Sequence, residues 1–257
     1  MPDPVTILSG ALVGFSLGLI GGGGSILAVP LLLYVVGIGS PHLAIGTSAF
    51  AVSANAFSNL VPHALAGHVR WRPAGLFAGV GAAAAVGGAS LGKLVDGQRL
   101  LVLFALVMLV VAGAMLRPRA AGAAGAVPFD RGMALRVGGA ALAVGLASGF
   151  FGIGGGFLIV PALLWSARLK MIDAIGSSLL AVGAFGLATT ATYAAAGLVV
   201  WPTAVLFVIG GVVGGWLGAA AGARLSTSKT ALTRVFAAAI GAVAVYMLWR
   251  SFSAATG

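Results

Sequence analysis

The chain has 257 residues, of which 60% are hydrophobic and only 7% charged, with a mean hydropathy of +1.14 and a formal net charge of +10. A water-soluble domain carries about a quarter charged residues, so this composition excludes one and places the chain in a lipid bilayer. The positive balance does not mark a nucleic-acid binder, because the Lys and Arg residues sit in the short joints between apolar runs, where they set topology.

At the N-terminus, Met1-Pro2-Asp3-Pro4 carries no basic region ahead of the first apolar run. That argues against a cleaved signal peptide and for a first helix that is its own insertion signal. No Asp, Glu, Lys or Arg occurs from Pro4 to Val69, from Val137 to Ala167 or from Ala174 to Ala223. Hydrocarbon cannot satisfy backbone N–H and C=O groups, and these runs lack the alternation of a barrel strand, so the spans are expected to be helical. The expected fold is an all-α polytopic membrane helix bundle.

The first run, Val5 to Val36, would extend about 48 Å as one straight helix against a hydrocarbon core of about 30 Å. It must bend or break, and the cluster Gly21 to Gly24 is where a break costs least. Two pieces of about 16 and 12 residues remain, each short of a full crossing. They are expected to form a re-entrant pair that dips into the bilayer and returns to the same side. A full span from Pro41 to Arg70 and two further spans follow, and then a stretch rich in Ala, Gly, Pro and Arg from Arg117 to Arg136.

The pattern then starts again. GLIGGGGSILAVP at 18–30 matches GFFGIGGGFLIVP at 149–161, Ile45-Gly46-Thr47-Ser48 answers Ile175-Gly176-Ser177-Ser178, and Gly67-His68-Val69-Arg70-Trp71 answers Gly197-Leu198-Val199-Val200-Trp201. The expected organisation is a first transmembrane repeat (1–116), a cytoplasmic linker (117–136) and a second repeat (137–257), with Val137 to Ala167 re-entrant around Gly152 to Gly156. The basic residues discriminate between topologies. If each long run crossed once, they would divide seven to seven. With both runs re-entrant, Arg70, Arg72, Arg117, Arg119, Arg131, Arg136, Arg168, Lys170, Arg224, Lys229 and Arg234 share one side and only Lys93, Arg99 and Arg250 lie opposite, as the positive-inside rule requires. Making Pro41 to Arg70 re-entrant as well gives nine against five and ranks second. Three full crossings per repeat invert the second copy relative to the first, an arrangement that secondary transporters use to hold substrate near the midplane.

Where a helix restarts inside the membrane, its free N–H groups and positive dipole end can cradle an anion. This makes Gly21, Gly22, Gly23, Gly24 and Ser25, with Gly152, Gly154, Gly155 and Gly156, the first candidates for substrate binding; close helix packing through glycine is the competing reading. Thr47, Ser48, Ser177 and Ser178 are hydroxyls at matched positions that inversion is expected to bring toward each other, unless they bond back to their own helix carbonyls. Asn55, Asn59 and His63 share one helix face, and polar groups at membrane depth face a partner or a cavity. His63 lies within an apolar run and is the candidate proton carrier if transport is proton-coupled. Cysteine is absent, and the four acids, Asp3, Asp96, Asp130 and Asp173, fall near loops or span ends. No thiolate site, carboxylate pair, metal cluster or Ser/His/Asp set can be drawn, so neither an enzyme nor a cofactor is expected.

Paired Gly-x-Gly-Gly-Gly-x4-Pro elements, each followed by Gly-Thr/Ser-Ser and then Gly-x-Val-x-Trp, resemble the TauE/SafE sulfite exporter family, also called the toluene-sulfonate uptake permease family. The resemblance covers both copies. It implies transport of sulfite, sulfoacetate or a related organosulfur anion across the bacterial cytoplasmic (inner) membrane, with a site at Gly21 to Ser25, Thr47, Ser48, Gly152 to Gly156, Ser177 and Ser178. The resulting expectation is a secondary exporter working by alternating access. Its partners would be the small anion and the lipid bilayer, without nucleic acid, and homo-oligomerisation stays open. An anion channel on the same scaffold and a non-transporting membrane scaffold protein are the alternatives.

Overall fold

A computed structural model describes residues 3–20, 22–116, 129–152, 156–224 and 229–256. Among them every regular element is a helix: α1 (Asp3–Ile20), a 3-10 helix (Gly22–Leu27), α2 (Ala28–Pro30), a π-helical stretch (Leu31–Val35), α3 (Pro41–Leu65), α4 (Trp71–Leu94), α5 (Gly97–Leu116), α6 (Arg131–Phe151), α7 (Gly156–Ser166), α8 (Met171–Ala194), α9 (Trp201–Arg224) and α10 (Lys229–Thr256). Most of the expected linker lies outside the described residues.

Local chemistry sets the ends of these helices. Ser40 is extended and Pro41 opens α3, where its missing N–H is no loss. The Asp130 carboxylate accepts the Met133 N–H at 2.7 Å and caps α6. Asp96 does the same for α5 through the N–H groups of Gln98 and Arg99, at 3.0 and 3.2 Å. Gly67 and Gly197 hold φ of +73° and +70° at matched points between α3 and α4 and between α8 and α9, a conformation that a side chain resists. Leu135, Val110 and Leu217 are exposed, as on a surface that lipid covers.

Helix direction follows from which residues meet. A Cβ added at Gly10, Gly14 or Gly18 of α1 would strike the main chain of α9 at Phe207, Gly211 and Gly215 respectively, so α1 and α9 run parallel at backbone contact. The same holds for α6 and α4 through Gly145 on Gly81, Gly149 on Ala85 and Gly92 on Phe150. Gly14 and Gly211 are the sequence counterparts of Gly145 and Gly81, so one contact is made twice with the halves exchanged. The counterparts α3 and α8 lie against each other antiparallel: Gly46 meets Tyr193, the Ser53 hydroxyl donates to the Gly183 carbonyl at 2.7 Å, and Gly183 meets Phe57.

Two ends of the bundle can be distinguished. At one, Gly97 sits on Pro41, and the Lys93 ammonium donates to the Thr192 carbonyl at 3.0 Å. At the other, Arg70 reaches Asp173. Since α9 starts at the Pro41 end and α1 runs parallel to it, the chain leaves the Pro41 end along α1 and is back there by Ser40. Through α6 and α7 it leaves and regains the Arg70 end in the same way.

Two features differ from the sequence expectation. The outward limbs are long, 18 residues in α1 and 21 in α6, or about 27 and 31 Å; each break falls near the far end, and the return is short. Among the described residues five helices are long and apolar enough to cross a membrane: α4, α5, α6, α8 and α9. The expected span at α3 is not among them. In α3 the reason is visible, for Thr47, Ser48, Ser53, Asn55 and Asn59 lower its hydropathy while facing inward, fully buried.

Candidate functional site

The broken arms come first. Gly21, Gly154 and Gly155 lie outside the described residues. Gly22, Gly23 and Gly24 fall in the 3-10 helix with Ser25, which is fully buried. Gly152 ends α6 in the left-handed region, φ +66°, with its N–H donating to the carbonyls of Ser148 and Gly149. A Cβ there would collide with Ile45 Cγ2, so the tip of the second arm rests on α3 just before Thr47. Gly156 opens α7, and the 3-10 helix packs against both α7 and α8. The structure therefore packs the two arms against each other through the 3-10 helix and α7.

It does not bring the two hydroxyl pairs together. Thr47 Oγ1 accepts the Val200 N–H at 3.0 Å, and Ser177 Oγ accepts the Arg70 N–H at 2.9 Å. Ser48 and Ser178 donate to the Ile45 and Ile175 carbonyls at 2.9 and 2.7 Å, one turn back on their own helices. Each pair thus fastens a loop of the opposite half. In the antiparallel register of α3 and α8 they stand roughly 20 Å apart along the axis. The expectation of convergence is corrected, and the cause is that α3 and α8 cross near Ser53 rather than near their N-termini.

Asn55 and Asn59 are fully buried where α1, α3 and α9 meet. Their amides lie over Gly211 and Gly215 of α9, whose carbonyls carry Gly14 and Gly18 of α1 on another side. Asn59 Nδ2 donates to the Asn55 carbonyl at 2.9 Å, but Asn59 Oδ1 and both side-chain polar atoms of Asn55 have no partner among the described residues. The place matched to Asn55 in the other half is apolar: Phe185 covers Gly81 and stacks on Phe77 at 6.0 Å. At that position one half carries an amide and the other an aromatic ring, while the place matched to Asn59 is Thr189.

His63 falls in the last turn of α3, half-buried, its ring 6.0 Å from that of His68. The sequence expectation put it well inside an apolar run. In fact it sits at the Arg70 end, because α3 stops two residues later.

Sequence reasoning missed several groups. Arg70 is more than a topology signal: its Nε donates to Asp173 Oδ2 at 2.9 Å and its Nη2 lies at 2.9 Å from the same oxygen. Thr189 Oγ1, Tyr193 Oη and His42 Nε2 are buried without partners among the described residues, and the His42 and Tyr193 rings stack at 6.4 Å. Together with Asn55, Asn59 and His63 they distribute unpaired polar atoms along the α3–α8 pair. The available signal for Thr189 and Tyr193 was their spacing of 130 residues from Asn59 and His63. No group of three potential metal ligands occurs among the described residues.

Comparison with known proteins identifies a family of membrane transporters. The family model described as "Sulfite exporter TauE/SafE" matches residues 6–247. Two proteins named "Probable membrane transporter protein", from Xylella fastidiosa strains Temecula1 and 9a5c, are each 58% identical over 250 residues, covering 97% of this chain and 96% of theirs. "Probable membrane transporter protein YunE" of Bacillus subtilis is 27% identical over 266 residues, covering 94% of this chain and 97% of its own. No solved structure matches the chain.

Proposed function

From the premise that this chain belongs to the sulfite exporter TauE/SafE family, a family of multi-pass transporters of the bacterial cytoplasmic membrane, we propose that it carries sulfite or a related small organosulfur anion by alternating access. The observation that supports this most is the series of buried, unpaired polar atoms along α3 and α8. Leaving such a group unsatisfied costs about 1–3 kcal/mol, and membrane-buried polar groups are retained where they serve a guest. Asn55 and Asn59 offer amide donors and no charge, which suits an anion that must be bound and then released.

The two halves, 1–116 and 137–257, are read as inverted repeats. Equivalent helices run in opposite directions, and each arm returns to its own side, with the Arg70 end cytoplasmic by the positive-inside rule. The anion binds at the arm tips, where helices restart at Gly22 to Ser25 and at Gly156 and offer main-chain amides, and passes Asn55 and Asn59. Thr47, Ser48, Ser177 and Ser178 border this path while fastening the loops, and His63 at its cytoplasmic end is the group through which a proton would couple.

The test is flux of labelled sulfite in proteoliposomes with and without unlabelled counter-anion. Saturable, counterflow-stimulated flux that Asn55→Leu abolishes is the expected result. Absence of flux for sulfite and for every sulfonate tried refutes the proposal, and unsaturable flux without counterflow points to a channel instead.

A further inference from the structure

A cavity of about 410 Å3 opens at the Pro41 end, where the loop returning from the first arm meets the start of α5 and the end of α10. This size is within the range of small-molecule sites. Its wall includes Tyr34, Gly37, Gly39, Gln98, Arg250 and Ser251. We propose that it is an oxyanion-recognition site at the outer mouth of the protein, in which the Arg250 guanidinium takes the charged head of the transported anion.

Arg250 is held in position without being neutralised. Its Nη1 donates to the Tyr246 hydroxyl at 3.1 Å, and its guanidinium carbon lies 5.3 Å from the centroid of the Tyr34 ring. Both contacts orient a cation and leave its charge intact. Among the described residues the one ion pair is Arg70 with Asp173, at the opposite end. Of the other charges at this end, Asp96 caps α5 and Lys93 donates to the Thr192 carbonyl, while Arg99, next to Gln98 on α5, is exposed and adds a second cation. The guanidinium therefore keeps most of its five donors for a guest, in a planar fork that fits two oxygens of a sulfite, sulfonate or phosphate group. Gln98 adds an amide to the same wall. Gly37, at φ +84°, and Gly39 bring bare main chain to the cavity, and a Cβ added at Gly39 would meet nothing within 4 Å.

That last fact supplies the test. The natural chain has no cysteine, so Gly39→Cys places one thiol on the cavity wall without displacing the fold. The thiol is labelled from outside, in phosphatidylcholine vesicles, with a methanethiosulfonate bearing a sulfonate and with its trimethylammonium counterpart. A cavity of this volume puts the thiol roughly 5–10 Å from the guanidinium, and a unit charge at that separation in water-like surroundings shifts each rate about two- to fourfold in opposite senses, so Arg250→Gln should lower the anion-to-cation rate ratio about tenfold. Methanesulfonate at millimolar concentration should slow labelling in the Arg250 background. Arg250→Lys should keep the ratio but lose that protection, because the charge remains and the fork is gone.

An unchanged ratio in Arg250→Gln overturns the proposal. So does protection by phosphatidylglycerol in the bilayer but not by methanesulfonate, which would assign the guanidinium to a lipid phosphate. Naming the guest as the transported anion rests on the transport reading above, whereas the rate ratio does not. If the ratio falls and methanesulfonate protects while wild-type vesicles carry no sulfite or sulfonate, the anion site stands and the transport reading fails.

Discussion

Thr47→Val is the sharpest probe of how the halves hold each other. Valine keeps the shape of threonine and removes the one oxygen that the Val200 N–H reaches, at 3.0 Å. A donor stripped of its partner costs about 1–3 kcal/mol when buried. Val200 is half-buried, which puts the expected loss at about 1–2 kcal/mol, about a five- to thirtyfold change in the folding equilibrium. Ser177→Ala removes the matching acceptor from the Arg70 N–H, at 2.9 Å, and should cost the same. The two sites are roughly 20 Å apart and share no partner, so the double variant should lose the sum, about 2–4 kcal/mol. Reversible unfolding in mixed micelles titrated with sodium dodecyl sulfate measures all three, and Thr47→Ser, which restores the acceptor, should return to near wild type. The reasoning fails if Thr47→Val is as stable as wild type, or if Thr47→Ser loses as much as Thr47→Val. Stability unchanged with a raised KM for anion flux would make Thr47 a ligand rather than a clasp.

Other outcomes follow from the same geometry. Asn55→Leu, branched at the same carbon but larger, should cost no more than overpacking does, about 1–3 kcal/mol, in the same unfolding assay, since an unpaired buried amide is replaced by apolar surface; a greater loss would mean the amide has a structural partner. Gly14→Leu should wedge α1 from α9 and Gly145→Leu should wedge α6 from α4, each costing more than about 2 kcal/mol, whereas the same change at the uncontacted Gly75 should be tolerated. Gly152→Ala should destabilise by two routes, left-handed strain and collision with Ile45, so Ile45→Ala in that background should recover only part of the loss. Asp173→Asn should cost no more than about 1 kcal/mol, because the Arg70 side chain is 56% exposed and water screens the pair; a larger loss would show the contact closes off from solvent.

Much of the fold was legible in the residues, for local reasons. Low charge and long apolar runs force helices in lipid whatever their neighbours do. Gly21 to Gly24 and Gly152 to Gly156 mark breaks because glycine is a poor helix former in any context, and GLIGGGGSILAVP against GFFGIGGGFLIVP reveals the doubling by identity alone. These properties fix the bilayer setting, the helical class and the place where each arm turns.

What only the tertiary structure decided is pairing. That α1 lies parallel on α9 through Gly14 and Gly211, and that α6 repeats this on α4, depends on which glycine faces meet across 197 and 64 residues of sequence. The same is true of Thr47, which reads as a free hydroxyl on its helix and proves to hold Val200 from the other half. Asn55 and Phe185 occupy equivalent positions, yet one is left with an unpaired amide and the other fills its space with a ring. Periodicity assigns a residue to a face, but the partner of that face is set by close packing between segments distant in the chain, where a shift of a single turn would exchange every contact.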